Sequence, residues 1–178
     1  MRSLFDIIKK NIFPVILILI LALARLIPHP PNFTPIVAVA ILSGYFFRHL
    51  YLTFTILVAA MLIADSFIGF YNNMFVVYFS LLLIAFIFFK INFKINFKNL
   101  FIYSFLGSLI FFLISNFGVW VLGSPGLSNL PYDKTLSGLI ETYVFAIPFF
   151  PNTFLSTLIF TYPAVYIYKS LPSWSSAR

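Results

Sequence analysis

Arg25, His29, Asn32 and Thr34 fall in one short stretch, Arg25-Leu-Ile-Pro-His-Pro-Pro-Asn-Phe-Thr-Pro35, interleaved with four prolines. A guanidinium binds anionic groups. An imidazole carries a proton or ligates a metal. Amide and hydroxyl side chains accept and donate hydrogen bonds. Further along, Asp65, Asn116, Trp120, Tyr143 and Asn152 are polar or amphipathic residues set in apolar runs. An ionisable group at membrane depth points to function by default, with its partner to be identified. For Arg25 the readings are snorkelling to the headgroups, an anionic ligand group, or pairing with Asp65. Asp65 either joins such a pair to fix helix packing or meets a ligand. His29 has no second histidine, cysteine or carboxylate at ligand spacing, so no metal site is expected. Asn32 and Thr34 read either as helix caps or as ligand contacts. Trp120 suits a membrane-interface anchor or an aromatic wall for a flat ligand. Tyr143 and the neighbouring Glu141 are further candidates, and Asn152 is expected to cap a helix after Pro151.

These residues need elements to hold them, and composition says what kind. The chain has 178 residues, 62% hydrophobic and 8% charged, against about 25% charged in soluble domains. Apolar runs near the roughly 20 residues needed to cross a bilayer recur along it. The segments of alternating polarity that mark a β-barrel do not. The expected fold is an all-α polytopic membrane protein, one integral membrane domain over residues 1–178. Cysteine is absent, which excludes disulfides and thiolate metal sites.

Residues 1–11 read as a short amphipathic helix at the cytoplasmic surface. Six transmembrane helices follow, at about 12–27, 35–47, 51–70, 74–89, 100–122 and 152–168. Proline fixes φ and donates no backbone hydrogen bond, so the stretch up to Pro35 interrupts the first two helices. Lys90 to Lys98 repeats Lys-Ile-Asn-Phe and suits an interfacial segment with snorkelling lysines. A polar loop covers 123–135, and Pro148 and Pro151 bracket a break. Residues 136–149 are expected to form a short extra helix on the outer side. Ala40–Gly44 and Ala60–Ala64 place small residues four apart, which lets helices approach closely within the fold or against a partner.

The net charge of +7 serves topology here and not nucleic acid. With both termini cytoplasmic, Arg2, Lys9, Lys10, Arg48, Lys90, Lys94, Lys98, Lys169 and Arg178 fall inside. Only Arg25 and Lys134 fall outside, which obeys the positive-inside rule with an even number of crossings. The irregular segments then share the outer face. No phosphate-binding glycine loop, nucleophile elbow, HExxH or paired carboxylate occurs. Neither an enzyme nor a cofactor is expected, and any energy for uptake would come from an ion gradient or another subunit.

Arg25-Leu-Ile-Pro-His-Pro-Pro-Asn-Phe-Thr-Pro35, Asn116-Phe-Gly-Val-Trp120, Lys134-Thr-Leu-Ser-Gly138 and Tyr143-Val-Phe-Ala-Ile-Pro-Phe-Phe-Pro-Asn-Thr153 resemble a family of small, uncharacterised bacterial membrane proteins. That family is classed as putative transport proteins similar to the substrate-binding S components of energy-coupling-factor (ECF) transporters. The resemblance implies six helices in the bacterial cytoplasmic (inner) membrane and a pocket open to the outside and covered by loops. It also implies capture of a small-molecule substrate such as a vitamin or vitamin precursor. The partners it implies are the lipid bilayer and an ECF-type transmembrane coupling subunit with ATPases; self-association is the other possibility. S components dock through an Ala-x-x-x-Ala pattern in helix 1, whereas this chain has Ala22 and Ala24 there and its small-residue pairs in helices 2 and 3. The alternative function is a non-catalytic accessory or structural subunit of a larger membrane complex.

Overall fold

The structure, a computed structural model, describes residues 11–47, 49–91, 96–125 and 130–170. Residues 1–10 of the expected surface helix, residues 92–95 of the Lys-Ile-Asn-Phe repeat and the tail from 171 lie outside the described residues. The described chain is all-helical: α1 Ile12–Leu23, α2 Ile36–Phe46, α3 Leu50–Ile68, α4 Met74–Lys90, α5 Phe97–Leu122, α6 Leu136–Ala146 and α7 Phe150–Ser170. A 3-10 turn, Ala24–Leu26, extends α1, and another, Ile147–Phe149, joins α6 to α7.

Three helical stretches are long and apolar enough to cross a membrane: Leu50–Ile68, Phe97–Leu122 and Leu136–Ser170. Ile12–Leu26, Ile36–Phe46 and Met74–Lys90 are apolar but shorter. This is the organisation of a membrane protein.

α2 is the hub. Its sequence, Ile-Val-Ala-Val-Ala-Ile-Leu-Ser-Gly-Tyr-Phe, is apolar on every side, and such a helix belongs in a core. All of its 11 residues are buried, and α1, α3, α4, α5 and α7 all pack on it. At about 1.5 Å per residue it is roughly 16 Å long, half the bilayer core. Gly44 sets the closest approach: a Cβ there would lie 2.4 Å from the Ala85 carbonyl oxygen of α4. The small-residue pairs of α2 and α3 are therefore used inside the fold, with Ala40, Ala60 and Ala64 fully buried.

α6, the 3-10 turn and α7 form one helical stretch of 35 residues. From Tyr143 to Tyr162 it runs antiparallel to α5. Tyr143 donates to the Leu113 carbonyl at 2.7 Å, Phe150 and Phe154 meet Phe105 edge-on, and Tyr162 donates to the Phe97 carbonyl at 2.7 Å. The short helix expected at 136–149 is present as α6 with the 3-10 turn, and it runs on into α7. The expected break at Pro148–Pro151 is a 3-10 turn. Pro148 lies at its start, and Pro151 sits in the first turn of α7, where its missing N–H is harmless.

The α5–α6 connection is held from both sides. Gly123 adopts φ 66°, and Gly123 N–H and Ser124 N–H close back on the carbonyls of Trp120 and Val119, a Schellman end that favours glycine. Lys134 Nζ donates to the carbonyls of Trp120 and Val121, a cation at the negative end of the α5 dipole. Next to it, the Thr135 hydroxyl caps α6 by accepting from Gly138 N–H at 3.1 Å. Gly138 has no room for a side chain, because a Cβ would lie 2.1 Å from the Asp133 carbonyl oxygen.

Candidate functional site

The Pro-rich segment is pinned across the bundle. Carbonyls freed by prolines need donors where water is scarce. Asn152 Nδ2 donates to Pro31 O at 2.9 Å, and Ser156 Oγ, one turn on, donates to Thr34 O at 2.9 Å. Asn152 therefore lies inside α7 and ties the segment down, where a helix cap was expected. Neither Asn32 nor Thr34 caps α2, whose N-cap is Pro35 with no side-chain bond. The turn closes through Phe33 N–H on Pro30 O. It places Asn32 at φ 61°, a left-handed conformation that asparagine tolerates and β-branched residues do not. Asn32→Val is expected to destabilise the protein by about 1–2 kcal/mol while Asn32→Gly stays within a few tenths. Thermal unfolding of the detergent-solubilised variants checks this.

Beneath this turn lies a cavity of about 200 Å³. Its walls are Asn32 from the Pro-rich turn, Val77 from α4, Phe111, Phe112, Ser115 and Asn116 from α5, and Phe149, Phe150 and Thr153 opposite. A second cavity of about 220 Å³ adjoins it, sharing Asn116, Val119, Ala146 and Phe149 and continuing to Tyr132 and Thr142. Asn116 stands where the two meet. Its Nδ2 donates to Phe112 O at 2.8 Å.

Arg25 and Asp65 form an ion pair away from these cavities. Nη1 to Oδ1 is 2.7 Å, and the side chains are 9% and 0% exposed. Oδ1 receives no aligned N–H, so the contact is one of charge. Asp65 Oδ2 accepts from Tyr78 OH at 2.7 Å, and Arg25 also reaches Met61 Sδ at 3.8 Å. The Tyr71 phenol, in the α3–α4 connection, completes the cluster. Burial pushes its pKa up, the Asp65 carboxylate adds to that, and Arg25 opposes it. An arginine so matched has little charge left for a ligand.

The remaining candidates are placed elsewhere. His29 is exposed, its Nδ1 3.0 Å from Pro30 O. Trp120 Nε1 donates to Asp133 O at 2.8 Å, and Lys134 lies 5.6 Å from its ring centre, so the indole anchors the α5–α6 connection. Tyr143 stacks at a tilt on Phe112 and is bonded to α5. No group of three metal-ligating side chains occurs among the described residues.

Of the residues singled out by sequence, then, only Asn32 and Asn116 line the first cavity. The phenylalanines that wall it were not legible among 25 of their kind. A signal did exist for α7: Thr153, Ser156, Thr157 and Thr161 repeat at helical spacing and are all buried. Thr157 accepts from Ser108 of α5 at 3.1 Å.

A family model described as a family of unknown function (DUF6580) matches residues 5–175. No curated protein and no solved structure matches the chain.

Proposed function

We propose that this chain, which belongs to the DUF6580 family of unknown function, is the substrate-binding membrane protein of an uptake system for a small nutrient, a vitamin or vitamin precursor. One observation carries the reading. Four parts of the chain, three helical and one Pro-rich, converge on a cavity lined by aromatic rings and a few amides and hydroxyls. This is the character of small-molecule sites. Each cavity alone is smaller than the roughly 300–1,000 Å³ of such sites, so the ligand is small or extends through both around Asn116.

In this reading the six helical stretches cross the bacterial cytoplasmic membrane with both termini inside. The Arg25 end faces outward, because every other cationic residue except Lys134 is expected on the opposite, cytoplasmic side. The Pro-rich turn, tied to α7 by Asn152 and Ser156, is a rigid wall of the pocket. An ECF-type coupling subunit with ATPases supplies the energy. The test is uptake by cells and thermal shift of the purified protein against vitamins and their precursors. A ligand that raises the melting temperature of the native protein and not of Asn116→Leu supports the reading. A full panel without a shift, together with unchanged uptake on deleting the gene, would sink it.

One observation favours the accessory-subunit reading. An apolar groove of about 470 Å³ lies between α5 and α7, lined by Phe97, Phe101, Leu158, Ile159, Tyr162 and Pro163. Pro163 cannot donate to the Ile159 carbonyl, so the α7 backbone ladder is interrupted beside the groove. Purification in mild detergent separates the readings. A stoichiometric partner without transporter components supports the accessory role.

A further inference from the structure

On the reading that the Asn116 cavity binds the transported solute, we infer that water enters the seam between α5 and α7 below that cavity, and that this seam is the solute's route toward the Phe97 end of the bundle. The starting point is a pair of hydroxyls. Ser104 of α5 and Thr161 of α7 are fully buried, and neither side-chain oxygen has a hydrogen-bond partner among the described residues. A buried hydroxyl left unpaired is costly, and such groups mark places served by water. Other helical serines and threonines here turn back on their own helix. Ser115 donates to Phe111 O at 2.7 Å, Thr142 to Gly138 O at 2.8 Å and Thr157 to Thr153 O at 2.7 Å. Ser104 and Thr161 do not, and being fully buried they point at neighbouring helices and not at lipid.

Register brings the two together. Ser108 of α5 donates to Thr157 of α7 at 3.1 Å, which fixes where these antiparallel helices meet. Ser104 is four residues from Ser108, and Thr161 is four residues from Thr157 in the opposite sense. Both therefore lie one turn further toward the Phe97 end, on the same two faces. In the other direction, four residues from Thr157, is Thr153, a wall of the cavity. Thr153, Thr157 and Thr161, faced by Ser108 and Ser104, draw one line of hydroxyls inward from the cavity over roughly 12 Å of α7. The α4 side continues differently. Inward from Val77, α4 buries Leu81, Ile84 and Phe88, hydrocarbon that offers a polar solute no partner. Hydroxyls that serve only as glue between membrane helices are bonded across the interface or to their own backbone. The two at the inner end of this line are bonded to neither, which is the mark of a hydrated path.

The chain contains no cysteine, so each single cysteine replacement reports on one position. Ser104→Cys, Thr161→Cys, Asn116→Cys and Leu155→Cys, the last at an exposed apolar position of α7, are made in the full-length protein and placed in lipid nanodiscs. The probe is 2-hydroxyethyl methanethiosulfonate, a small, neutral, water-soluble thiol reagent. It reacts with the thiolate, which forms where water reaches the sulfur. The two seam variants and Asn116→Cys are expected to react about tenfold faster than Leu155→Cys, or more. Ser108→Cys and Ser115→Cys stand in for a seam or a cavity variant that fails to fold. A seam position as slow as Leu155→Cys, with Asn116→Cys fast, makes the seam dry helix packing; it overturns the route and leaves the pocket standing. Asn116→Cys as slow as Leu155→Cys, whatever the seam does, removes the pocket reading and the route that starts from it.

Discussion

Asp65→Ala is expected to destabilise the protein by about 3–5 kcal/mol, because it strands the Arg25 guanidinium in a buried setting. The Arg25 side chain is 9% exposed and its other neighbours are the Met61 thioether and the Tyr71 phenol, so no second acid is at hand to replace the carboxylate. The double replacement Arg25→Met with Asp65→Leu is expected to regain most of the loss, since two apolar side chains of similar volume remove the desolvation cost along with the attraction. Tyr78→Phe is expected to cost about 1.5–3 kcal/mol, the range for a hydrogen bond to a charged group. Equilibrium unfolding in mixed micelles measures all three. A double variant no better than Asp65→Ala would mean that Arg25 is held by something other than Asp65. The same variants bear on function: if the pair only joins α1 to α3 and α4, the refolded double variant keeps its ligand affinity.

The second large effect is expected at Gly44. An alanine Cβ would lie 2.4 Å from Ala85 O and 2.9 Å from Phe89 N, and both are backbone atoms of α4 that cannot swing aside. α2 would have to move away from α4 over the most extensive helix contact in the fold. The cost is expected at or above the upper end of the roughly 1–3 kcal/mol seen for overpacked cores. Gly107→Ala is the matched comparison. Its Cβ would meet Ile41 Cδ1 at 2.7 Å, the far end of a flexible side chain, so the loss is expected to be clearly smaller. Thermal midpoints of the two variants decide it, and equal losses would mean that α2 can shift freely.

Why these two features were partly legible is a matter of chemistry. Asp65 is an acid in an apolar helix, so a partner was required, and Arg25 was the one cation in reach at the same end. Tyr78, the third member, was invisible because tyrosine is common here and unremarkable in a membrane helix. The Ala40–Gly44 spacing announced a close helix approach but not its partner, which depends on tertiary arrangement. Helix ends were read within a few residues where a cap or a proline marks them. At Pro148–Pro151 the expected break is present, since the α-helix stops at Ala146, but it is slight. Prolines end a helix when they fall in its interior, but here one opens a 3-10 turn and the other sits in the first turn of α7, so the helical path continues. Asn152 stood among the candidate ligand contacts, whereas it serves, together with Ser156, backbone carbonyls of the Pro-rich segment. Cavity walls made of phenylalanine carry no local signature, since lipid-facing and ligand-facing rings look alike in sequence.

The bonds from Asn152 to Pro31 and from Ser156 to Thr34 span 121 and 122 positions of the chain. A ribosome makes the receiving carbonyls long before it makes the donors. During synthesis the first helices must wait with α2 uncovered on its α7 side, and the final helix completes the structure when it arrives. Contacts this distant in sequence delay folding. Nascent chains halted before Asn152 are therefore expected to be cleared by membrane proteases, while chains extended through α7 survive.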